Sequence, residues 1–442
     1  MVVEKKKMGA ESGRGHLSRF ILEKGSFAFL DKVILALMGF IYVVLSVRFL
    51  EKAEYGVMML AFSIFGFLTI FGDTGVGNAL IKYAAEKKEV DAVTTTALYL
   101  KAVSLVVFSG IAILFAFVLP PLFHAPQLFS LLLFFPAFFT ALMASNFFKQ
   151  ILQANQMLKE ITLVDSGALV SLVSLFLLAR YAGMFTTALV VFALLSVSYI
   201  IAAGIGFYMS KNLFKLKNKI NHAWKKRIFR FAVFSSMGAL GSMIYTRTDM
   251  LMLGAYLGPE AVAVYGSCWV IANAMYMVPQ SIYMVLFPLS SEISSSTEYP
   301  GGWKKRMKEV YAKSVGYSLV FTVPMSLFVI AFPGQIINIL YHGKYIESIS
   351  VLRVLALWGI IRPFGNLSGA VIEGMGKPNV NAALVWATAL VNIAANALFI
   401  PRFGVMGAAY ASILAFFVGV PIGILFLMKK IMWDKNGVEN TD

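Results

Sequence analysis

The sequence is poor in charge. Asp, Glu, Lys and Arg make up only 14% of its 442 residues, against about a quarter in an ordinary soluble domain. It holds one cysteine, Cys268, which excludes a disulfide within the chain and a thiolate metal site. Its four histidines, His16, His124, His222 and His342, lie far apart and form no HExxH pair. No metal is therefore expected. The nearest approach to a phosphate-binding loop is "GMGKP", Gly374 to Pro378. It lacks the spacing and the Ser or Thr after the lysine. The chain is expected to have no ATPase activity of its own, no catalytic residues and no cofactor.

Hydrocarbon takes the place of charge. The chain is 59% hydrophobic, with mean hydropathy +0.78. A water-soluble core cannot hide that much apolar surface. The apolar runs last twenty residues or more, the length of a membrane-crossing helix. Barrel strands would alternate polar and apolar residues over about ten positions. The fold expected is an all-α polytopic membrane protein. Residues 1–25 are polar and basic and lead into an apolar run with no small-residue cleavage site, so they read as a cytoplasmic N-tail and not as a signal peptide.

Hydropathy places twelve spans at about 26–49, 56–84, 93–119, 128–154, 161–180, 183–209, 230–256, 261–291, 313–332, 349–373, 379–400 and 404–428. Basic residues should gather on the cytoplasmic side. The N-tail, the even-numbered loops and the C-tail hold 28 of them, and the odd-numbered loops five at most. The sixth loop carries Lys211, Lys215, Lys217, Lys219, Lys225, Lys226, Arg227 and Arg230 with no acid among them. An even number of spans with both termini cytoplasmic, in the cell's inner membrane, fits this pattern. The net charge of +16 follows topology, so nucleic acid is not expected as a partner. The sixth loop can also touch anionic membrane lipids.

Twelve spans divided by a basic loop suggest duplication: an N-lobe over 26–209, a linker over 210–229, a C-lobe over 230–428 and a cytoplasmic C-tail over 429–442. Shifted by 207 positions, Phe27 falls on Phe234 and Val57 on Val264. The break "GDTG", Gly72 to Gly75, falls on "PQSI", Pro279 to Ile282. Six spans per half make a parallel repeat about an axis along the membrane normal. Gly72, Asp73, Gly75 and Pro279 are therefore the expected helix-break residues. Matched breaks point to a transporter's site, or are simple packing kinks.

Three segments carry a family resemblance. Residues 245–293 ("YTRTDMLMLGAYLGPEAVAVYGSCWVIANAMYMVPQSIYMVLFPLSSEI") look like the seventh and eighth helices of polysaccharide exporters. These belong to the multidrug/oligosaccharidyl-lipid/polysaccharide exporter superfamily. Residues 50–86 resemble that family's second helix, and 376–412 its eleventh and twelfth. Spans three to six, nine and ten match by hydropathy alone. The resemblance implies two six-helix bundles arranged as a V around a central cavity. It also implies a flippase for polyprenyl-linked sugars, of the O-antigen and exopolysaccharide kind, driven by an ion gradient.

Charges inside the spans are the candidate site, because a bare charge at the bilayer centre costs at least about 2.5–3.5 kcal/mol. Arg247 and Asp249 stand two residues apart in "MIYTRTDM", about 200° around a helix, and so face different ways. Tyr245, four before Asp249, can hydrogen-bond it on the same face. Arg247 reads as a cation for the substrate's pyrophosphate or as half of an interhelical salt bridge. Arg362 stands beside Pro363 and Gly365, at an expected helix break, and Arg353 nearer a span end. With Asn273 and Gln280 they complete the substrate-binding candidates. Asp31, beside Lys32, and Asp249 are the ion-coupling candidates, for H+ or Na+. Asp73 is expected to cap the restarted half of the second span. Lys101 is close enough to a span end to snorkel to the cytoplasm. Asn392 and Asn396, one turn apart, read as helix glue or as sugar ligands. Trp269, Tyr276 and Trp358 read as packing or as stacking surfaces for sugar rings.

The activity expected is movement of a polyprenyl-pyrophosphate-linked oligosaccharide to the outer leaflet by alternating access, alongside polysaccharide-assembly proteins. The alternatives are a cation-coupled multidrug exporter of the same fold and a peptidoglycan lipid-precursor flippase. Three span arginines disfavour cationic drugs. A membrane glycosyltransferase would need acids on long outer loops, and the odd loops are short and nearly free of them.

Overall fold

The computed structural model describes residues 27, 30–87, 89–184, 187–216, 220–295 and 302–432. The expected N-tail lies outside the described residues, as do 217–219 of the linker and 433–442 of the C-tail. All regular structure among the described residues is helical. Among the described residues ten helices are long and apolar enough to cross a membrane, and two bent pairs bring the number to twelve if each is one span. The chain is a multi-pass membrane protein.

The helices follow the expected spans in order. The first seven are α1 (Leu30–Phe49), α2 (Lys52–Ala85), α3 (Val90–Leu122), α4 (Leu128–Ala154), α5 (Leu158–Tyr181), α6 (Ala188–Ser210) and α7 (His222–Leu257). The eighth span is a pair, α8 (Pro259–Ala274) and α9 (Met277–Ser295), bent by 47°. Then come α10 (Gly302–Ala331) and a short helix, α11 (Pro333–Tyr341). The tenth span is also a pair, α12 (Ser348–Ala356) and α13 (Trp358–Gly374), bent by 40°. Last are α14 (Pro378–Phe403) and α15 (Val405–Met432).

Several local expectations need correction. The "GDTG" stretch does not interrupt the second span. It forms one π-helical stretch, Ile70–Gly75, inside a continuous α2. A π-turn absorbs an extra residue without ending the helix. The eighth span breaks at Met275–Tyr276, ahead of Pro279. Pro279 is the third residue of α9, where its missing N–H costs no intrahelical bond. The tenth span breaks at Leu357, and α13 runs on through Pro363. Arg362 is therefore on an unbroken helix. The helix α11 was not expected. It starts on Pro333 and stops at His342, which takes a left-handed conformation at φ 53°.

Packing divides the chain into two compact units. One comprises residues 1–49, 68–116 and 130–236, the other 50–67, 117–129 and 237–442. The seams between these units fall between α1 and α2 and inside α2, α3, α4 and α7. In the first unit, α2 beyond its π-turn packs on α3, α4 and the start of α7 through Leu80, Val93, Ile151 and Ile228. In the second unit, Leu286, Met307, Leu367 and Leu427 join α9, α10, α13 and α15.

Within the second unit, the start of α2 is clamped against later parts of the chain. Lys52 pairs with Glu347 at 2.8 Å, and Lys344 Nζ donates to the Leu50 carbonyl at 2.5 Å. The Lys52 ammonium holds the Glu347 carboxyl below its ordinary range. The small stability this pair adds is thus present above about pH 4.3 and fades as pH falls through the lowered value. Gly56 lies so close to the start of α8 that a Cβ there would stand 1.8 Å from the Pro259 carbonyl oxygen. Backbone cannot yield as a flexible side chain can. Gly56→Ala is expected to lower the thermal unfolding midpoint of the detergent-solubilised chain by several degrees, an overpacking cost of at least about 1–3 kcal/mol. Gly39→Ala, where a Cβ meets nothing within 4 Å, should be neutral or mildly stabilising. Equal midpoints for the two variants would contradict the close packing of α2 on α8.

Candidate functional site

A cavity of about 440 Å³ opens among α7, α9, α13, α14 and α15 in the second unit. Its wall includes Tyr245, Tyr276, Gln280, Tyr283, Arg362 and Asn366. Arg362 is buried, at 8% exposure, yet no carboxylate among the described residues pairs with it. Its guanidinium lies 3.7 Å over the Tyr276 ring and 5.0 Å from the Trp358 ring. Ring faces attract the cation through their quadrupoles but take up no in-plane N–H. Arg362 Nη1 is accordingly a buried donor without an acceptor. Asn366, one turn on, accepts from the Tyr276 hydroxyl at 2.9 Å, and its Nδ2 is a second such donor. The carboxylate in the wall, Glu373, is already engaged by the Tyr283 hydroxyl and by Asn381 Nδ2. The cavity thus presents positive charge and free donors, with its acidic group occupied. That arrangement suits a ligand rich in acceptor oxygens, and an anionic one above all.

Asp249 is buried in the same unit at 3% exposure. Three neutral donors hold it: the Tyr265 hydroxyl at 2.6 Å, Ser412 Oγ at 2.5 Å and Asn396 Nδ2 at 2.6 Å. Asn396 Nδ2 also reaches Asn392 Oδ1 at 3.1 Å, while Asn396 Oδ1 is left without a donor. The expected partner, Tyr245, is not among them. Its ring turns edge-on to Phe416 at 5.3 Å, and its hydroxyl is unsatisfied. The short Asp249 side chain turns into the packing of α8, α14 and α15, where Tyr265, Asn396 and Ser412 are nearer.

In the first unit two further charged groups are buried. Asp31, at 8% exposure, neighbours Asp165, itself 3% exposed, and Lys149 pairs with Asp165 at 2.9 Å. Lys32, exposed, is 3.9 Å from Asp31. Separately, Lys101 is 1% exposed and donates to the Gly72 carbonyl at 3.1 Å, with Asp73 Oδ1 at 3.6 Å. Asn146 donates to Asp73 Oδ2 at 2.8 Å, and Gln150 Nε2 to the Asp73 carbonyl at 3.2 Å. The π-turn frees backbone carbonyls, and these side chains take them up.

A family model described as polysaccharide biosynthesis protein matches residues 21–294. The chain belongs to the polysaccharide biosynthesis protein family. A second model, MatE, matches residues 235–398. A membrane protein of Methanocaldococcus jannaschii is 29% identical over 53% of the chain and 47% of its own length. A probable low-salt glycan biosynthesis flippase, Agl15 of Haloferax volcanii, is 23% identical over 52% of the chain and 48% of its own length. The chain spans about half the length of these curated relatives. The solved structure of the lipid II flippase MurJ in an inward closed conformation superposes with a TM-score of 0.73, covering 92% of this chain and 87% of that one at 15% identity. That likeness gives the fold alone.

Within this member of the polysaccharide biosynthesis family, the expected site residues scatter. Arg362 and Gln280 line the cavity. Arg247 is half-buried on α7 outside the cavity lining, with no hydrogen bond or ion pair among the described residues. It does not pair with Asp249. Arg353 and Asn273 are exposed at the ends of α12 and α8. Trp358 is buried between Trp269 and Phe416, so these rings serve packing. Asp73 caps no helix. The residue at the head of the segment after the π-turn is Gly75, and the Asp73 carboxylate serves Asn146 and Lys101 instead. Lys101 does not snorkel, because those same partners hold it inside. The pairing of Lys149 with Asp165, and of Glu373 with its two donors, leaves no spacing signal in the sequence, because the partners lie on different helices.

The Lys101–Asp73 pair can be tested by a double-mutant cycle. Lys101→Met is expected to destabilise the protein by about 3–5 kcal/mol, because it leaves Asp73 without its cation. Adding Asp73→Asn should recover part of that loss. Chemical unfolding in detergent reads both, and strictly additive effects would remove the pair from the account.

Proposed function

We propose that this chain is a flippase that carries a polyprenyl-pyrophosphate-linked oligosaccharide from the cytoplasmic to the outer leaflet for cell-surface polysaccharide assembly. It works by alternating access and without ATP hydrolysis. The observation that carries this reading is the pair of orphan donors, Arg362 Nη1 and Asn366 Nδ2, in a cavity whose carboxylate is already taken. A glycan or phosphate supplies the acceptors they lack. The Haloferax relative is known as a probable low-salt glycan biosynthesis flippase, which agrees. Six spans form each lobe, joined through 210–229. The protein sits in the inner membrane with both termini cytoplasmic, a reading that the distribution of basic residues supports. Arg247, with no hydrogen bond or ion pair among the described residues, is a second cation for the substrate, and Arg353 and Asn273 guide it at the helix ends. Polysaccharide-assembly proteins receive the product.

Ion coupling rests on two places. Asp249 is a buried carboxylate with the Tyr265 and Ser412 hydroxyls and the Asn396 amide Nδ2 against it, and it is the first coupling candidate, for H+ or Na+. Asp31, with Lys32 3.9 Å away and beside the Asp165 that Lys149 pairs, is the second coupling candidate, for H+ or Na+. A cation-coupled multidrug exporter is the second reading, favoured by the match of the MatE model. It would need a carboxylate free to meet a cationic drug, and Glu373 is engaged.

Reconstituted in liposomes with a fluorescent polyprenyl-pyrophosphate sugar, wild type should flip the lipid. Arg362→Ala should slow flipping by about 10- to 100-fold, the worth of a charge-assisted hydrogen bond, and Arg362→Lys by less. Efflux of a cationic dye with no lipid flipping would replace this reading by the drug exporter. Asp249→Asn should leave a rate that no longer responds to an imposed H+ or Na+ gradient. A full response in that variant would take Asp249 out of coupling.

A further inference from the structure

A second cavity, of about 600 Å³, lies in the first unit along the start of α7. Lys226, Arg227, Arg230, Phe231 and Phe234 line it, with Tyr83 of α2 opposite. The spacing explains why they share a wall. Positions 223, 226, 227, 230, 231 and 234 recur every three or four residues and so occupy one helix face.

The three cations are not equivalent. Arg227 is held in place, over the Tyr83 and Trp224 rings at 4.5 and 4.9 Å and 3.6 Å from Glu86. Trp224 is itself anchored by Glu89 at 2.6 Å. Lys226 and Arg230 are exposed and have no ion pair among the described residues. Lys82 adds a further cation, 4.7 Å over the Phe231 ring. Glu86, the acid nearest this group, is already engaged by Arg227. Further along the same face come Phe231 and Phe234, the latter 65% exposed. This is where the sequence passes from the basic run "KKRIFR" to hydrocarbon. The wall therefore changes from cationic to aromatic along one axis, as a lipid changes from phosphate to chain.

We propose that this cavity binds an anionic phospholipid of the cytoplasmic leaflet, its phosphate on Lys226 and Arg230 and its chain along Phe231 and Phe234. A general orientation signal needs only charge in the loop. It does not need one basic residue fixed by two aromatic rings and a carboxylate while Lys226 beside it and Arg230 a turn on stay free of ion pairs, next to a cavity. Charge complementarity selects an anionic headgroup over a zwitterionic one, and the exposed phenylalanines select a lipid over a soluble anion. Its lining shares no residue with the Arg362 cavity, so it would take a phospholipid whichever glycan the protein moves.

The test is the thermal unfolding midpoint of the full chain in detergent, titrated with phosphatidylglycerol or phosphatidylcholine. Phosphatidylglycerol is expected to raise the midpoint by roughly 3 °C more than phosphatidylcholine, the size of effect that saturating a site gives. Lys226→Gln with Arg230→Gln should lose most of that difference. Lys305→Gln with Lys308→Gln, which removes equal charge from the exposed start of α10, should keep it. If the first double variant fails to fold, Arg230→Gln alone carries the test and should lose about half. The proposal is overturned if the two lipids act alike on wild type, or if the Lys226/Arg230 variants keep the full difference. It is also overturned if geranylgeranyl pyrophosphate raises the midpoint while phosphatidylglycerol does not, because the cavity would then serve a pyrophosphate headgroup.

Discussion

A charge inside hydrocarbon has to be matched, and the way each one is matched here sets what its neighbourhood can do. The chain spends few charges: 22 acids and 38 bases in 442 residues. Most buried ones are neutralised within the fold. Lys101 has Asp73, Lys149 has Asp165, and Asp249 has three neutral donors. Breaking such an arrangement leaves an uncompensated charge, which costs far more than the arrangement contributes. These pairs act as fixed points on which packing depends. Arg362 differs, since aromatic faces hold its charge and leave its donors unanswered.

The same constraint governs the backbone. Freed carbonyls in a membrane helix need donors from the protein. At the π-turn of α2 those donors are Lys101 and Gln150, so the helix bulges without ending. A Cβ at Gly72 would stand 2.1 Å from Ser104 Oγ, so the glycine there admits α3 closely. At the α8–α9 and α12–α13 bends the chain takes the other course and ends one helix before starting the next. The Arg362 cavity borders both bends. Tyr276 stands in the first, and Arg362 lies just after the second. Short helices meeting at an angle leave room that two straight helices would fill.

Much of this was legible in the sequence, and for physical reasons. Hydropathy over twenty residues marks a span whatever its partners, so all twelve were found. Arg362 and Gln280 stood out because a polar group in hydrocarbon is conspicuous by itself. What the sequence did not reveal is direction. Two helical residues four apart can share a face and still choose other partners, as Tyr245 and Asp249 do. Glu373 near a helix end looks like any surface acid until Tyr283 and Asn381 are seen to hold it. A glycine–aspartate–glycine run signals weakness in a helix, but whether the helix stops or bulges depends on Lys101, nearly thirty residues away.

The central claim is that the cavity beside Arg362 answers an anion. The most direct measurement is equilibrium binding to the purified wild type of a soluble, short-chain prenyl-pyrophosphate disaccharide, in competition with a cationic dye of similar size. The account predicts saturable binding of the anionic glycan that weakens in Arg362→Ala, with the dye failing to displace it. Saturable dye binding that the glycan cannot displace, unchanged by loss of Arg362, would contradict it.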